Sequence, residues 1–466
     1  MLRKALLTMA LLSLLLTSWP VQAAEGPTQR LGTGVATAIA AAPNGAVIAV
    51  GSSIGVWFFT ADTLAPLGFW DTGEWVVRVQ YSTDGRYLRA NDLYWEVGRT
   101  SAVPAVPAET VWLEHACSPN HQYCVQLEAA HVVVTDRDTL IDVAVIQTET
   151  IHDTAWSPDG QTLYTVGQRT AAWAIPSGKL KRSLTAFFTD AVGLVGWSAD
   201  GRVVGNDYEA WEVDHGQPVT PPICPAGQGL THGQICGTDR LATYDEYLGD
   251  GAVQYKLRVY TNAEKTRWRW IVPHTSLTNF ASLSADGTRL VTSGYDAGQN
   301  PCGGYLYWCS GSVRCEPTAT TRIWAVDTFE LLAQLPVGFC QAYFLPGNTQ
   351  IIGITSEALE VWDWPSQTRR WSTPTQAGLL ALSPNAQYAA TTTADTVNLW
   401  RVDTGALIQV LTGHTAPSDK DWQRTNGYDV RWPFGVGGIN GPAFSPDGTQ
   451  LAASGDDGTV LIWPVP

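Results

Sequence analysis

The stretch FSPDGTQLAASGDDGTVLIW, residues 444–463, alternates two tight turns with two short apolar runs. In SPDG (445–448) and DDG (456–458) the Asp and Gly residues supply the backbone geometry that joins antiparallel strands. The runs QLAAS and TVLIW are too short for helices, and the second carries the β-branched and aromatic residues of a strand. The segment reads as turn, strand, turn, strand, and it ends on Trp463.

The same frame recurs upstream. A tryptophan stands in a β-like run at Trp57, Trp95, Trp173, Trp211, Trp324, Trp362 and Trp400, and Val133 and Tyr260 fill the two gaps. Five of the nine steps between these markers are 38 residues long, so the repeat has a fixed length. A turn precedes nearly every marker, as in STDG (82–85), SPDG (157–160), SADG (198–201 and 284–287) and SPNA (383–386). A second turn follows many of them, as in RVDTGALIQVL (401–411). Each unit therefore predicts four strands, A to D, in an up-and-down meander. A lone meander has two apolar faces and needs neighbours to cover both, which radial stacking provides. The expected fold is all-β: a β-propeller of about ten four-stranded blades in one closed ring, with two smaller propellers divided at 218–229 as the alternative.

These residues resemble the WD-repeat family. In the last unit Asp457 stands six residues before Trp463, as the family pattern places it, and LTGH, ending at His414, is similar to the family's Gly-His element. The Trp-Asp pair itself occurs among the markers only at Trp362 and Asp363. The resemblance spans nearly all of residues 24–466.

Ring closure has its own signature. The last unit ends three residues after Trp463 and lacks a fourth strand, while TQRLGTG (28–34) has the length and character to supply one. A strand from one terminus laid on the sheet of the other removes an exposed edge.

Residues 1–23 read as a secretory signal: Arg3 and Lys4, a mainly apolar core from Ala5 to Trp19, then Val21 and Ala23 placed for cleavage. That core is short against the ~20 residues that span a bilayer. The expectation is a secreted, periplasmic or extracellular protein with no stable membrane insertion after cleavage. The formal net charge of −15 becomes −17 once Arg3 and Lys4 depart, which argues against nucleic acid as a partner.

Extra length gathers in three units, at 222–256, 295–319 and 413–440. In a meander the B to C and D to A connections lie at the same end of the sheet, so these insertions should decorate one face. They carry Tyr305, Tyr307, Trp308, Trp422, Arg424, Tyr428, Arg431 and Trp432, a mixture of amphipathic aromatics and cations suited to protein or glycan surfaces. Each such aromatic also has a plainer use, as the small core that packs a long loop onto the ring.

Eight cysteines in an exported chain favour disulfides. Cys117 and Cys124 flank the SPNHQY turn and face each other across a hairpin, which predicts a local bond. Cys302, Cys309 and Cys315 sit in the insertion at 295–319, and Cys340 begins the next unit at the end facing that loop, so the four can staple it. Their pairing is not readable from spacing, and Cys224 and Cys236 fit no strand position that would join them. The gaps of seven and six positions between the three loop cysteines, with no histidine in that insertion, do not suit zinc. Neither a metal nor a cofactor is expected.

Nucleophile elbows, phosphate loops and metal-binding His pairs do not occur, and His232, His274 and His414 stand alone in the sequence. The function expected is binding or interaction with a protein or glycan through the loop-decorated face. An extracellular hydrolase or lyase using carboxylates in the central channel is the alternative.

Overall fold

The computed structural model describes residues 22–99, 101–113, 116–128, 131–147, 151–167, 170–184, 196–198, 200–205, 210–219, 241–247, 253–260, 268–275, 277–296, 319–376, 378–393, 396–415, 439–455 and 457–466. The described elements are all strands, arranged as ten sheets. In chain order, sheets 1 to 5 span 36–71, 79–103, 123–147, 151–184 and 196–219. Sheets 6 to 9 span 241–271, 277–334, 341–374 and 380–411, and sheet 10 joins 439–464 to 29–31. Most hold four strands in antiparallel sequence order, while sheets 3 and 6 show three.

All ten markers fall in strands, and each is in the strand that the repeat assigns as C. Trp57 lies in Gly55–Thr60, Val133 in His131–Asp136, Tyr260 in Val253–Tyr260 and Trp463 in Val460–Pro464. The indole anchors the sheet by its ring nitrogen. Nε1 of Trp173, Trp324 and Trp400 donates to Thr165, Thr292 and Thr391 on the adjacent B strand.

The A–B turns explain the recurring Ser-x-Asp/Asn pattern. In the turn at 445–448 the Ser445 hydroxyl donates to Asp447 Oδ1 at 2.6 Å and accepts the Gln450 N–H at 2.9 Å. Asp447 Oδ1 also accepts the Thr449 N–H. The same three bonds recur around Ser82, Ser118, Ser157, Ser198, Ser284 and Ser383. These donors hold the carboxyls of Asp84, Asp159, Asp200, Asp286 and Asp447 below the usual range, the serine hydroxyl being the largest cause in each.

The terminal clasp takes the predicted form. Gln29–Leu31 pairs antiparallel with the last strand, Gln29 opposite Ile462 and Leu31 opposite Val460. Thr28 adds two bonds to the Ile462 carbonyl, from its N–H at 2.8 Å and its hydroxyl at 3.0 Å. Ahead of the clasp, Gln22–Glu25 runs parallel to Leu407–Leu411 and makes a fifth strand on sheet 9.

Apolar clusters reveal which sheets are neighbours. Sheet 1 packs on sheet 2 through Val56, Val76, Val79 and Leu88, and on sheet 4 through Ile39, Val50, Ala155 and Val166. Sheet 3 packs on sheet 4. Sheets 6 to 10 pack in chain order, and sheet 10 also packs on sheet 5 through Val204, Trp211, Val460 and Ile462. The A–B turns follow suit: a Cβ on Gly45 would stand 3.5 Å from Pro158 of sheet 4, and one on Gly201 3.6 Å from Pro446 of sheet 10. The neighbour order is thus 2–1–4–3 and 6–7–8–9–10–5. Sheet 1 adjoins sheet 4, and the series of neighbours breaks between sheets 4 and 5, not at 218–229. Each fully buried Val, Leu or Ile in these seams contributes roughly 1.5–3 kcal/mol.

Candidate functional site at the roots of the loop face

Two of the long insertions spring from buried polar networks. The first lies in sheet 10, at the foot of residues 416–438. His414 closes the connection from sheet 9, and Asp457 sits in the B–C turn. His414 Nδ1 lies 3.0 and 3.1 Å from the two Asp457 oxygens, and Nε2 lies 3.1 Å from the Ala453 carbonyl. Asp457 also accepts the N–H groups of Thr415 and Thr459 and the Thr459 hydroxyl. Burial works against this carboxylate, but His414 and the surrounding donors outweigh it and keep Asp457 below the usual range. Gly455 makes room for the ring, because a Cβ there would fall 2.4 Å from His414 Nδ1.

Thr415, the last described residue before the insertion, is tied to sheet 1 as well. Its hydroxyl donates to the Ser53 carbonyl at 2.6 Å, and its own carbonyl accepts Trp75 Nε1 at 3.2 Å. Ser53 in turn donates to the Asp457 carbonyl. Ser53 and Asp457 belong to B–C turns, while Thr415 and Trp75 belong to D–A connections, so both kinds of connection converge at one end of the sheets.

The second network lies in sheet 7, at the foot of residues 297–318. Asp296 directly follows strand B, Arg289–Tyr295, and Arg322 lies on strand C. The guanidinium grips the carboxylate with two bonds, 3.2 and 2.6 Å, and Arg322 Nη1 also donates to the Pro273 carbonyl at 2.6 Å. The imidazole of His274 stands 3.1 Å from both Thr320 Oγ1 and Thr292 Oγ1, and Thr292 also receives Trp324 Nε1. Burial, aided by Arg322, pushes His274 down to about 4. Desolvation opposes the charge on Asp296, yet Arg322 and the Thr275 N–H leave it below its ordinary value.

His274 stands alone in the sequence, yet the structure makes it the hub of a network drawn from a D–A connection and strands B and C. A histidine in the D–A connection ahead of the marker Trp324, as His414 stands ahead of Trp463 in the last unit, was the signal that could have found it.

Cys117 and Cys124 form a disulfide across the hairpin, with Cα atoms 3.9 Å apart. The flanking bonds, Ser118 N–H to Tyr123 and Val125 N–H to Ala116, leave the cysteine pair at a narrow, non-hydrogen-bonded position where side chains lie closest. Cys340 is buried and disulfide-bonded. Cys302, Cys309 and Cys315 lie outside the described residues, as do Cys224 and Cys236. So do the eight candidate ligand contacts Tyr305, Tyr307, Trp308, Trp422, Arg424, Tyr428, Arg431 and Trp432.

One carboxyl outside these two networks shows a raised proton affinity. Burial pushes Asp153, on strand A of sheet 4, up to about 6. Its two oxygens accept the N–H groups of Ile39 and Thr154, at 3.1 and 2.8 Å, so it fastens sheet 4 to sheet 1. Among the described residues no group of His, Cys, Asp and Glu side chains is arranged to hold a metal ion.

Residues 435–464 match the family model described as WD domain, G-beta repeat. No curated protein matches the chain. The matched segment contains Asp457, Thr459 and Trp463, and its strands, with residues 29–31, make sheet 10.

Proposed function

We propose that this WD-repeat β-propeller is an exported interaction module that holds a protein or glycan partner with the loops rising from one face. WD repeats in general mediate protein interactions. The observation that carries the reading is the common origin of two of the three insertions. Residues 297–318 and 416–438 leave the sheets beside buried networks at the end where B–C and D–A connections gather. A rigid platform of paired strands with long connections at one end is the usual arrangement for binding loops. Aromatic and arginine side chains such as Trp308, Trp422, Arg424 and Trp432 in those connections are the residue types that dominate binding energy at protein interfaces.

The test is removal of residues 416–438 with Thr415 kept, because its bonds to Asp457, Ser53 and Trp75 belong to the platform. The shortened chain should be exported and folded, and should no longer retain the partner that the full chain captures from culture supernatant. Undiminished capture would overturn the assignment. Turnover of glycans, lactones or peptides by the purified full chain would instead support the enzymatic alternative.

A further inference from the structure

At the end of the sheets away from the loop face, each A–B turn is flanked by two residues that stand opposite each other on the two strands. In the eight other sheets where both strands are described, the two are apolar or aromatic, as in Trp156 opposite Leu163, Trp197 opposite Val204 and Phe444 opposite Leu451. The strand B member is 0 % exposed in every one of them. Sheet 3 instead places Cys117 opposite Cys124, joined by the disulfide, and both are partly exposed.

The packing of sheet 3 accounts for the exposure. Along Tyr123–Glu128 successive side chains point to opposite faces. Tyr123, Val125 and Leu127 pack in the cluster shared with sheet 4. Cys124 therefore lies on the reverse face, which none of the described apolar clusters covers.

Nor does the bond shape the turn. Ser118 and Asn120 make the same three side-chain bonds that hold the other A–B turns. Backbone bonds close the hairpin on both sides of the cysteines, from Ser118 N–H to Tyr123 and from Val125 N–H to Ala116. Asn120 Nδ2 also reaches the Asp159 carbonyl of sheet 4 at 3.4 Å. Opening the Sγ–Sγ bond breaks none of these contacts.

We infer that the Cys117–Cys124 pair is a thiol-exchange site: a disulfide that a dithiol reduces while the chain stays folded. Exposed disulfides are the labile ones, since exchange requires a thiolate to reach one sulfur. The reductant's thiolate attacks one Sγ, and the other cysteine leaves as a thiolate that takes up a proton. The second thiol of the reductant then attacks the mixed disulfide and releases the second cysteine. The dithiol departs oxidised, with its two electrons and two protons on Cys117 and Cys124. Cys340 provides the contrast within the same chain, being disulfide-bonded and 1 % exposed. The site lies away from the loop face, and its test does not depend on the binding role proposed there.

The probe is dithiothreitol, titrated into the folded full chain and followed by alkylation and peptide mass mapping. Cys117 and Cys124 should be labelled at about tenfold less reductant than Cys340, with the near-ultraviolet circular dichroism unchanged, and oxidised glutathione should restore the bond. Labelling of all three cysteines together, or of the pair only where the native spectrum is lost, would overturn the proposal. A double variant, Cys117→Ala with Cys124→Ala, separates exchange from a structural role. It should fold and unfold in one cooperative transition, because the turn carries its own bonds. Failure to fold, or a loss of β content, would show that the bond holds sheet 3 together and would overturn the proposal as well.

Discussion

His414 and Asp457, 43 residues apart in the chain, meet with 3.0 Å between Nδ1 and Oδ1 and with almost no solvent access to either side chain. The pair fixes the start of residues 416–438 to the B–C turn of sheet 10. Asp457→Ala would leave His414 and the donors of Thr415 and Thr459 facing a void. Removing a buried carboxylate and leaving its donors unsatisfied costs about 1–3 kcal/mol or more, so the denaturant midpoint should fall by a corresponding amount. Asp457→Asn keeps an acceptor and should lose less. Equal stability of the Ala variant and the parent would show that the network does not hold the loop.

Gly338 tests the root of the other insertion. A Cβ at this position would stand 1.9 Å from the carbonyl oxygen of Ala319, a backbone atom with no flexible end to move aside. Gly338→Ala must therefore shift the strand that follows residues 297–318, next to buried Phe339 and Cys340. Overpacking of this kind costs about 1–3 kcal/mol, and the expected readout is a lower thermal midpoint with unchanged β content by circular dichroism.

The elements were legible in the sequence because each repeats a local code. Ser445, Asp447 and Gly448 specify a turn wherever the pattern occurs, and Trp463 or Trp400 marks a third strand. The strand at Gln29–Leu31 was legible for a different reason: a sheet one strand short demands a donor. Which sheet covers which was not legible, because Ile39 and Val50 declare an apolar face without declaring that Ala155 and Val166 of sheet 4 will cover it. The network of His274, Asp296 and Arg322 was hidden because its members come from three separate elements. The parallel strand Gln22–Glu25 was missed since residues 1–23 read as a leader, which ends inside it.

The clasp should be separable from the rest of the fold. Leu31 is buried in the cluster that joins sheets 5 and 10, and Leu31→Ala should cost about 2–5 kcal/mol. Deleting residues 27–31 removes the pairing as well and exposes the edge of Val460–Pro464. Such an edge templates association, so the deletion variant should form soluble oligomers by light scattering where Leu31→Ala remains monodisperse. If both variants behave alike, the strand is packing only and protects no edge.

Acid should act on this protein through groups with opposing signs. Asp153 is raised from 3.8 to about 6 by burial, so between those values the folded state holds the extra proton and stability rises as pH falls. His274 is lowered from 6.5 to about 4, so across nearly the same window the unfolded state takes the proton and stability drops as pH falls. The two should largely offset each other, leaving a shallow dependence from pH 6 to 4. Below that, the turn carboxylates with depressed values take over, Asp286 at about 2 among them, and their stabilisation is lost as each is protonated. Single variants expose the halves. Asp153→Asn removes the favourable term, so its denaturant midpoint should decline steadily from pH 6.5 to 4. His274→Gln removes the unfavourable one, and its midpoint should climb over that interval. Parallel pH profiles for the parent and both variants would show that neither group changes its proton affinity on folding.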